Sequence, residues 1–181
     1  MKKLFLPLLL VALALSLSTT QINAATVWSG ALLTFAEVSG ASPTLATNQD
    51  RLTSHDWLTR GSVQGLYNAS TESGFSHFLS PADTQWADGT LANFNTLVYH
   101  DWNTWAKSIH GGPGGTVGVN AVLHLVTDDI YLSIKFTSWG AGGSGGFSYQ
   151  RTTPSVVPEP ATLALLGLGL PALLAFRRRK S

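Results

Sequence analysis

Residues 117–139 constrain the fold more than any other part of the chain. Ile130, Leu132, Ile134 and Phe136 alternate with Tyr131, Ser133, Lys135, Thr137 and Trp139. A period of two places the first set on one face of a strand and the second on the other. Upstream, Val117, Val119, Ala121, Leu123 and Leu125 share a face in the same way, and Thr127-Asp128-Asp129 between the two runs carries residues that favour a tight turn. A helix needs a period of 3.6 and would scatter these apolar side chains around its circumference. The pattern therefore predicts an antiparallel hairpin. Gly140-Ala141-Gly142-Gly143-Ser144-Gly145-Gly146 then supplies a loop that can take positive φ, and residues 147–152 alternate again as a returning strand, which makes a three-stranded meander.

Residues 26–38, 62–67, 74–78 and 96–105 read as further strands, and 45–59 is ambiguous, with some helical character. Some seven short strands in about 130 residues suit a single all-β domain, a β-sandwich of jelly-roll type. The chain has no cysteine, so cohesion must come from burial rather than from disulfides.

Both ends carry apolar segments. Lys2-Lys3, an apolar run over 4–17 and the small-residue stretch Ile22-Asn23-Ala24 form the three regions of a secretory signal peptide, cut by signal peptidase between Ala24 and Ala25. Near the other end, Pro158-Glu159-Pro160 precedes an uncharged run over 161–176 and then Arg177, Arg178, Arg179 and Lys180. As a transmembrane helix this run would span about 24 Å, less than a hydrocarbon core of about 30 Å. It spans only where the bilayer thins or its flanks snorkel. The four cations stay cytoplasmic, which places the body on the other side of the membrane. A retained single-pass anchor is the alternative reading of this tail.

The order of motif, short apolar helix and basic end resembles the PEP-CTERM sorting signal of Gram-negative bacteria, with Pro158, Glu159 and Pro160 as the motif. Pro171 departs from that pattern, because proline kinks a helix. The resemblance implies a partner, exosortase, that removes the tail and releases the body to the cell surface or extracellular matrix, commonly where exopolysaccharide and biofilm are made. It divides the chain into a signal peptide over 1–24, an ectodomain over 25–155 and a sorting tail over 156–181. Residues 80–89, 124–139 and 145–151 also resemble blocks in a group of uncharacterised secreted bacterial proteins. That likeness implies a shared extracellular β domain and no activity.

Six of the eleven basic residues lie in the terminal segments. Residues 25–157 hold five (Arg51, Arg60, Lys107, Lys135, Arg151) against nine carboxylates, a net charge of −4. This balance removes the electrostatic footprint of a nucleic-acid binder. Of six tryptophans, Trp28, Trp57 and Trp86 read as core, and Trp102 and Trp105 share a face only on a helix or bulge. Trp139 falls on the outward face with Tyr131 beside the glycine loop, and these two are the candidate glycan-stacking residues for an extracellular polysaccharide.

No cofactor is required by any motif. Calcium is the one ion the residues leave open, through Asp128 and Asp129, although such a pair more often makes an ordinary hairpin turn; Asp83 and Asp88 form a similar weak candidate. The five histidines show no metal-ligand spacing, and His55-Asp56 and His100-Asp101 would point to opposite faces of a strand. With neither a Gly-x-Ser-x-Gly elbow nor a cysteine, catalytic candidates reduce to Glu37 and Glu72 as an acid–base pair. The glycine runs at 111–115 and 140–146 lack the lysine of a phosphate loop and read as surface loops. Three functions stand: a structural surface or matrix protein linked to exopolysaccharide, a carbohydrate-binding module, or a polysaccharide-active enzyme.

Overall fold

A computed structural model describes residues 25–143 and 145–155. Along these residues run strands β1 (Thr26–Trp28), β2 (Leu32–Glu37), β3 (Asp50–Arg51), β4 (Trp57–Arg60), β5 (Leu66–Asn68), β6 (Thr84–Asp88), β7 (Ala121–Leu125), β8 (Ile130–Trp139) and β9 (Phe147–Thr152). The protein is mostly β, in two sheets. The larger has the order β2-β9-β8-β7-β6 with β1 pairing β8 off that path, and the smaller is β3-β4-β5.

The predicted hairpin and meander form. β7 pairs antiparallel with β8 across residues 126–129, and β9 returns along β8. Leu123, Leu125, Leu132, Ile134 and Phe136 are buried on the inner face, as the alternation requires. Each such aliphatic side chain contributes about 1.5–3 kcal/mol relative to an exposed one. The predicted strand over 117–126 is trimmed to Ala121–Leu125, with Val117 making a single bridge to Phe136.

Residues 26–38 form two strands rather than one. β1 lies parallel to β8 with Trp28 opposite Leu132, but β9 takes the same edge of β8 from Ile134 onward. The chain therefore steps across, and β2 pairs antiparallel with the far side of β9, Leu32 opposite Thr152. Residues 45–59 hold the 3₁₀ turn Ala46–Asn48 followed by β3 and β4, and 62–67 contributes only the start of β5. Residues 74–78 make no strand.

Residues 96–105 are corrected as well. His100 makes one bridge to Trp86, and the chain then coils into the π-helix Asn103–Ile109. Asp101 starts it, accepting bonds from the Thr104 N–H at 2.9 Å and the Thr104 hydroxyl at 2.6 Å. That turn brings Trp102 and Trp105 onto one buried face, where both rings meet Trp86 at centroid distances of 4.8 and 5.3 Å. β6 has no counterpart in the sequence reading; it pairs in full register with β7.

The two sheets share one apolar cluster, in which Leu52, Leu58 and Leu66 join Trp86, Leu123 and Phe136. A polar link crosses the same region. Asp50 of β3 accepts Nε of Arg151 at 2.6 Å, Nη2 of Arg151 at 2.7 Å and the Tyr149 hydroxyl at 2.8 Å, all from β9 and all buried. Removing one partner of such a network leaves an uncompensated charge in the core, at a cost of about 3–5 kcal/mol. Asp50→Ala is therefore expected to lower Tm by roughly 10 °C or more, while Lys135→Ala on the exposed face of β8 leaves it within about 1 °C. Thermal melts followed by near-ultraviolet circular dichroism check both.

Candidate functional site

A groove of about 550 Å³ opens between the two glycine runs, with Gly111 to Gly115 on one side and Gly140 to Gly143 on the other. Loops read from sequence as plain surface thus face each other across a concave site. Its wall includes Trp102 of the turn entering the π-helix, Trp139 at the end of β8, and Phe75 and His77 from the connection after β5.

Trp139 reaches this position through a β-bulge. Phe136 pairs with Tyr149 and Ser138 with Ser148, so Thr137 is an extra residue in β8. The added residue reverses the alternation beyond it, because side chains flip faces with each step along a strand. Trp139 consequently packs on the core side, with ring centroids 5.8 Å from Phe136, 5.9 Å from Phe147 and 5.7 Å from Trp102. The expectation that it faces away from the core is corrected on this ground.

Arg60 fixes the groove's other components. Its guanidinium lies 4.0 Å over the Trp139 ring, a cation–π contact. Nε donates to the Gln64 carbonyl at 3.0 Å, and Nη1 donates to the carbonyls of Gly140 at 2.9 Å and Gly146 at 3.1 Å. One side chain on β4 thereby pins both ends of the glycine loop of the larger sheet. Two glycines are needed for the fit. A Cβ on Gly145, at φ +76, would stand 2.9 Å from the Gly61 carbonyl oxygen, and one on Gly65 would stand 2.7 Å from the Phe75 ring and 2.8 Å from Trp102 Nε1.

Behind Arg60, Glu37 accepts the Thr59 hydroxyl at 3.0 Å and the Arg60 N–H at 3.2 Å. Burial pushes its carboxyl up to about 7, against those bonds and the Arg60 charge. Asp56 is likewise raised to about 7, first by burial and then by Asp83, with Asp128 adding to the rise and the Thr53 hydroxyl and His55 opposing it. Glu72 accepts the N–H groups of Asn68 and Ala82 at 2.6 and 2.9 Å, together with the Ser80 hydroxyl. Neither Glu37 nor Glu72 lines the groove.

The other predicted site residues fall elsewhere. Tyr131 lies on the opposite face of β8 from Trp139 and stacks on His124 at 4.1 Å and 5°, beside Phe94 and Tyr99. The structure does not bring Tyr131 and Trp139 together. Asp128 turns toward His55 Nδ1 at 3.1 Å and Asp129 toward His124 Nε2 at 3.2 Å, so the two carboxylates diverge from their turn. Asp83 accepts the Thr127 N–H at 3.0 Å, and Asp88 holds Trp105 Nε1 at 2.7 Å and His110 at 2.9 Å. Among the described residues no group of three or more His, Asp or Glu side chains is placed to hold a metal ion. Ala25 directly precedes β1, whereas Ala24 lies outside the described residues.

Sequence reasoning missed Arg60, Phe75, His77 and Lys107, which line the groove together with Trp139. The one available signal was the spacing of Trp102 and Trp105, which on a helix puts two indoles on one face.

A family model described as the PEP-CTERM protein-sorting motif matches residues 156–180. The chain carries this motif, which implies export, processing by an exosortase and a membrane-anchored precursor before cleavage. Pro158, Glu159, Pro160, the apolar run over 161–176 and Arg177, Arg178, Arg179 and Lys180 lie outside the described residues. Among the described residues no helix is long and apolar enough to cross a membrane. No curated protein and no solved structure matches the chain, so the likeness of the body's blocks to other secreted proteins stands on residues alone.

The raised carboxyls give stability a pH dependence. Glu37 and Asp56 hold protons in the folded chain up to about pH 7, which the unfolded chain releases near its ordinary values of 4.5 and 3.8. Their contribution is full below those ordinary values and lost as pH rises toward 7, since the folded state binds more protons in that window. Tm is expected to fall between pH 5 and pH 7.5, and Glu37→Gln to make the fall shallower. An unchanged slope in a Glu37→Gln/Asp56→Asn double variant refutes the assignment.

Proposed function

We propose that this chain is an exported surface or extracellular-matrix protein, freed from its membrane-anchored precursor by exosortase, whose β domain holds exopolysaccharide in a structural role. The signal peptide ends at Ala24, the sorting tail begins near residue 156, and the 161–176 run crosses the inner membrane until cleavage. The six- and three-stranded sheets, which share one core, are read as an unequal β-sandwich.

The observation that carries the glycan reading is the groove between the glycine loops, walled by Trp102, Trp139 and Phe75. Aromatic faces in a concave site with a few polar groups suit a sugar ring, which presents one apolar face and a rim of hydroxyls. Trp139 thus keeps a place in the reading as part of the groove wall, while Tyr131 belongs to the opposite sheet face. Backbone geometry beside the groove agrees. Gln64, which lines the groove, sits at positive φ, +75°, a strained conformation often found at ligand clamps. Phe78 also stacks on His77 at 5.0 Å and is two-thirds exposed.

The full chain, purified in mild detergent, should show a saturable change in tryptophan fluorescence when titrated with the producing cell's own exopolysaccharide. His77→Ala, an exposed position, should weaken this binding several-fold while Tm moves by less than about 2 °C. A folded chain whose fluorescence and electrophoretic mobility ignore that polymer sinks the reading.

A further inference from the structure

The groove has a chemical sign. Of the five basic residues in 25–157, Arg60 and Lys107 line it, and His77 joins them. None of the nine carboxylates of the same span does so. The body as a whole carries −4, so this is a cationic site in an acidic domain.

Arg60 is almost completely buried, at 4 % exposure, and its bonds to Gln64, Gly140 and Gly146 use Nε and Nη1. Among the described residues Nη2 has no hydrogen-bond partner. No fully buried side-chain nitrogen or oxygen among them lacks one, so Nη2 keeps some solvent contact, and Arg60 lines the groove. The same reasoning applies to Trp102, 2 % exposed, whose Nε1 lies beside Gly65. Lys107 is exposed on the π-helix and also lines the groove. A guanidinium edge, an indole N–H and an ammonium form a site for acceptor oxygens of negative charge, and the planar guanidinium matches a carboxylate best.

The buried acid behind Arg60 makes no direct ion pair with its guanidinium. Glu37 addresses the Arg60 backbone N–H rather than its guanidinium, and no salt bridge joins the two side chains among the described residues. The other buried arginine, Arg151, is instead fully met by Asp50. The contrast separates an arginine whose guanidinium is met by a carboxylate from one met by neutral carbonyls and an indole face.

We infer that the groove binds a uronate unit of an acidic polysaccharide, with its carboxylate toward Arg60 and Lys107 and its ring against the Trp139 and Phe75 side. This rests on the glycan reading above and specifies its ligand class. Arg60 positions the loop as well as facing ligand, so Lys107, which is exposed and free of packing duties, is the residue to change.

The test is affinity electrophoresis and fluorescence titration of the full chain against polygalacturonate and against the same polymer after reduction of its carboxyls. Polygalacturonate should bind at least tenfold tighter than its reduced form, Lys107→Ala should lose about fivefold, and Lys135→Ala, which removes the same charge outside the groove, should lose none. Equal binding of both polymers overturns the carboxylate assignment while leaving a neutral-glycan groove. Binding of neither overturns the glycan reading itself. A Lys135→Ala loss equal to that of Lys107→Ala shows bulk charge attraction and refutes the site.

Discussion

The fold depends on one buried polar junction, Asp50 with Arg151 and Tyr149. β3 is only two residues long and its sheet has three strands, too little hydrogen bonding to fix the small sheet by itself. The bidentate pair, joined by the Tyr149 hydroxyl, ties β3 to β9 at one angle and one register. Apolar contacts among Leu52, Leu58, Leu66 and the tryptophans supply attraction but little direction. The charge-assisted bonds supply the direction, since either carboxylate oxygen misplaced by an ångström would leave a buried charge unmet. Because β4 carries Arg60, the junction also sets where that side chain meets the glycine loop.

The bulge at Thr137 is the second constraint. Without it Trp139 would stand on the outer face of β8 beside Lys135, and Arg60 would have no indole beneath it. Inserting a single residue turns one aromatic from the exterior to the groove wall and lets Gly140 and Gly146 close the loop through a 2.6 Å bond. The groove is therefore a consequence of strand irregularity in the larger sheet meeting a rigid arginine from the smaller one.

That origin explains what the sequence could reveal. The hairpin, the meander and the burial of Leu132, Ile134 and Phe136 follow from period two, a local signal. The sorting motif is also local, with its parts in fixed order. The bulge was illegible, because Thr137 fits the alternation as well as any extra residue would, and only the β9 register exposes the slip. The π-helix was misread since Trp102 and Trp105 sit in a stretch whose β-favouring residues resemble a strand, while the Asp101 bonds to Thr104 that decide the matter need the turn to exist first. β6 was missed because its pairing to β7 is non-local. Arg60, His77 and Lys107 lie 17 and 30 residues apart in sequence, and no spacing rule joins them.

A cationic groove on an acidic body has a further physical sense. A domain that adhered to polyanions over its whole surface would bind any acidic polymer, nucleic acid included, through counterion release. Here the exterior repels a polyanion at distances within the Debye length, about 8 Å at physiological salt. Only a chain that can enter the groove gains the donors of Arg60 and Lys107, in partly desolvated surroundings where each interaction is stronger than at the open surface. Repulsion outside and attraction inside act together, so that discrimination grows from the difference between them rather than from affinity alone. On the reading proposed above, that arrangement would select a ligand by shape and charge at once.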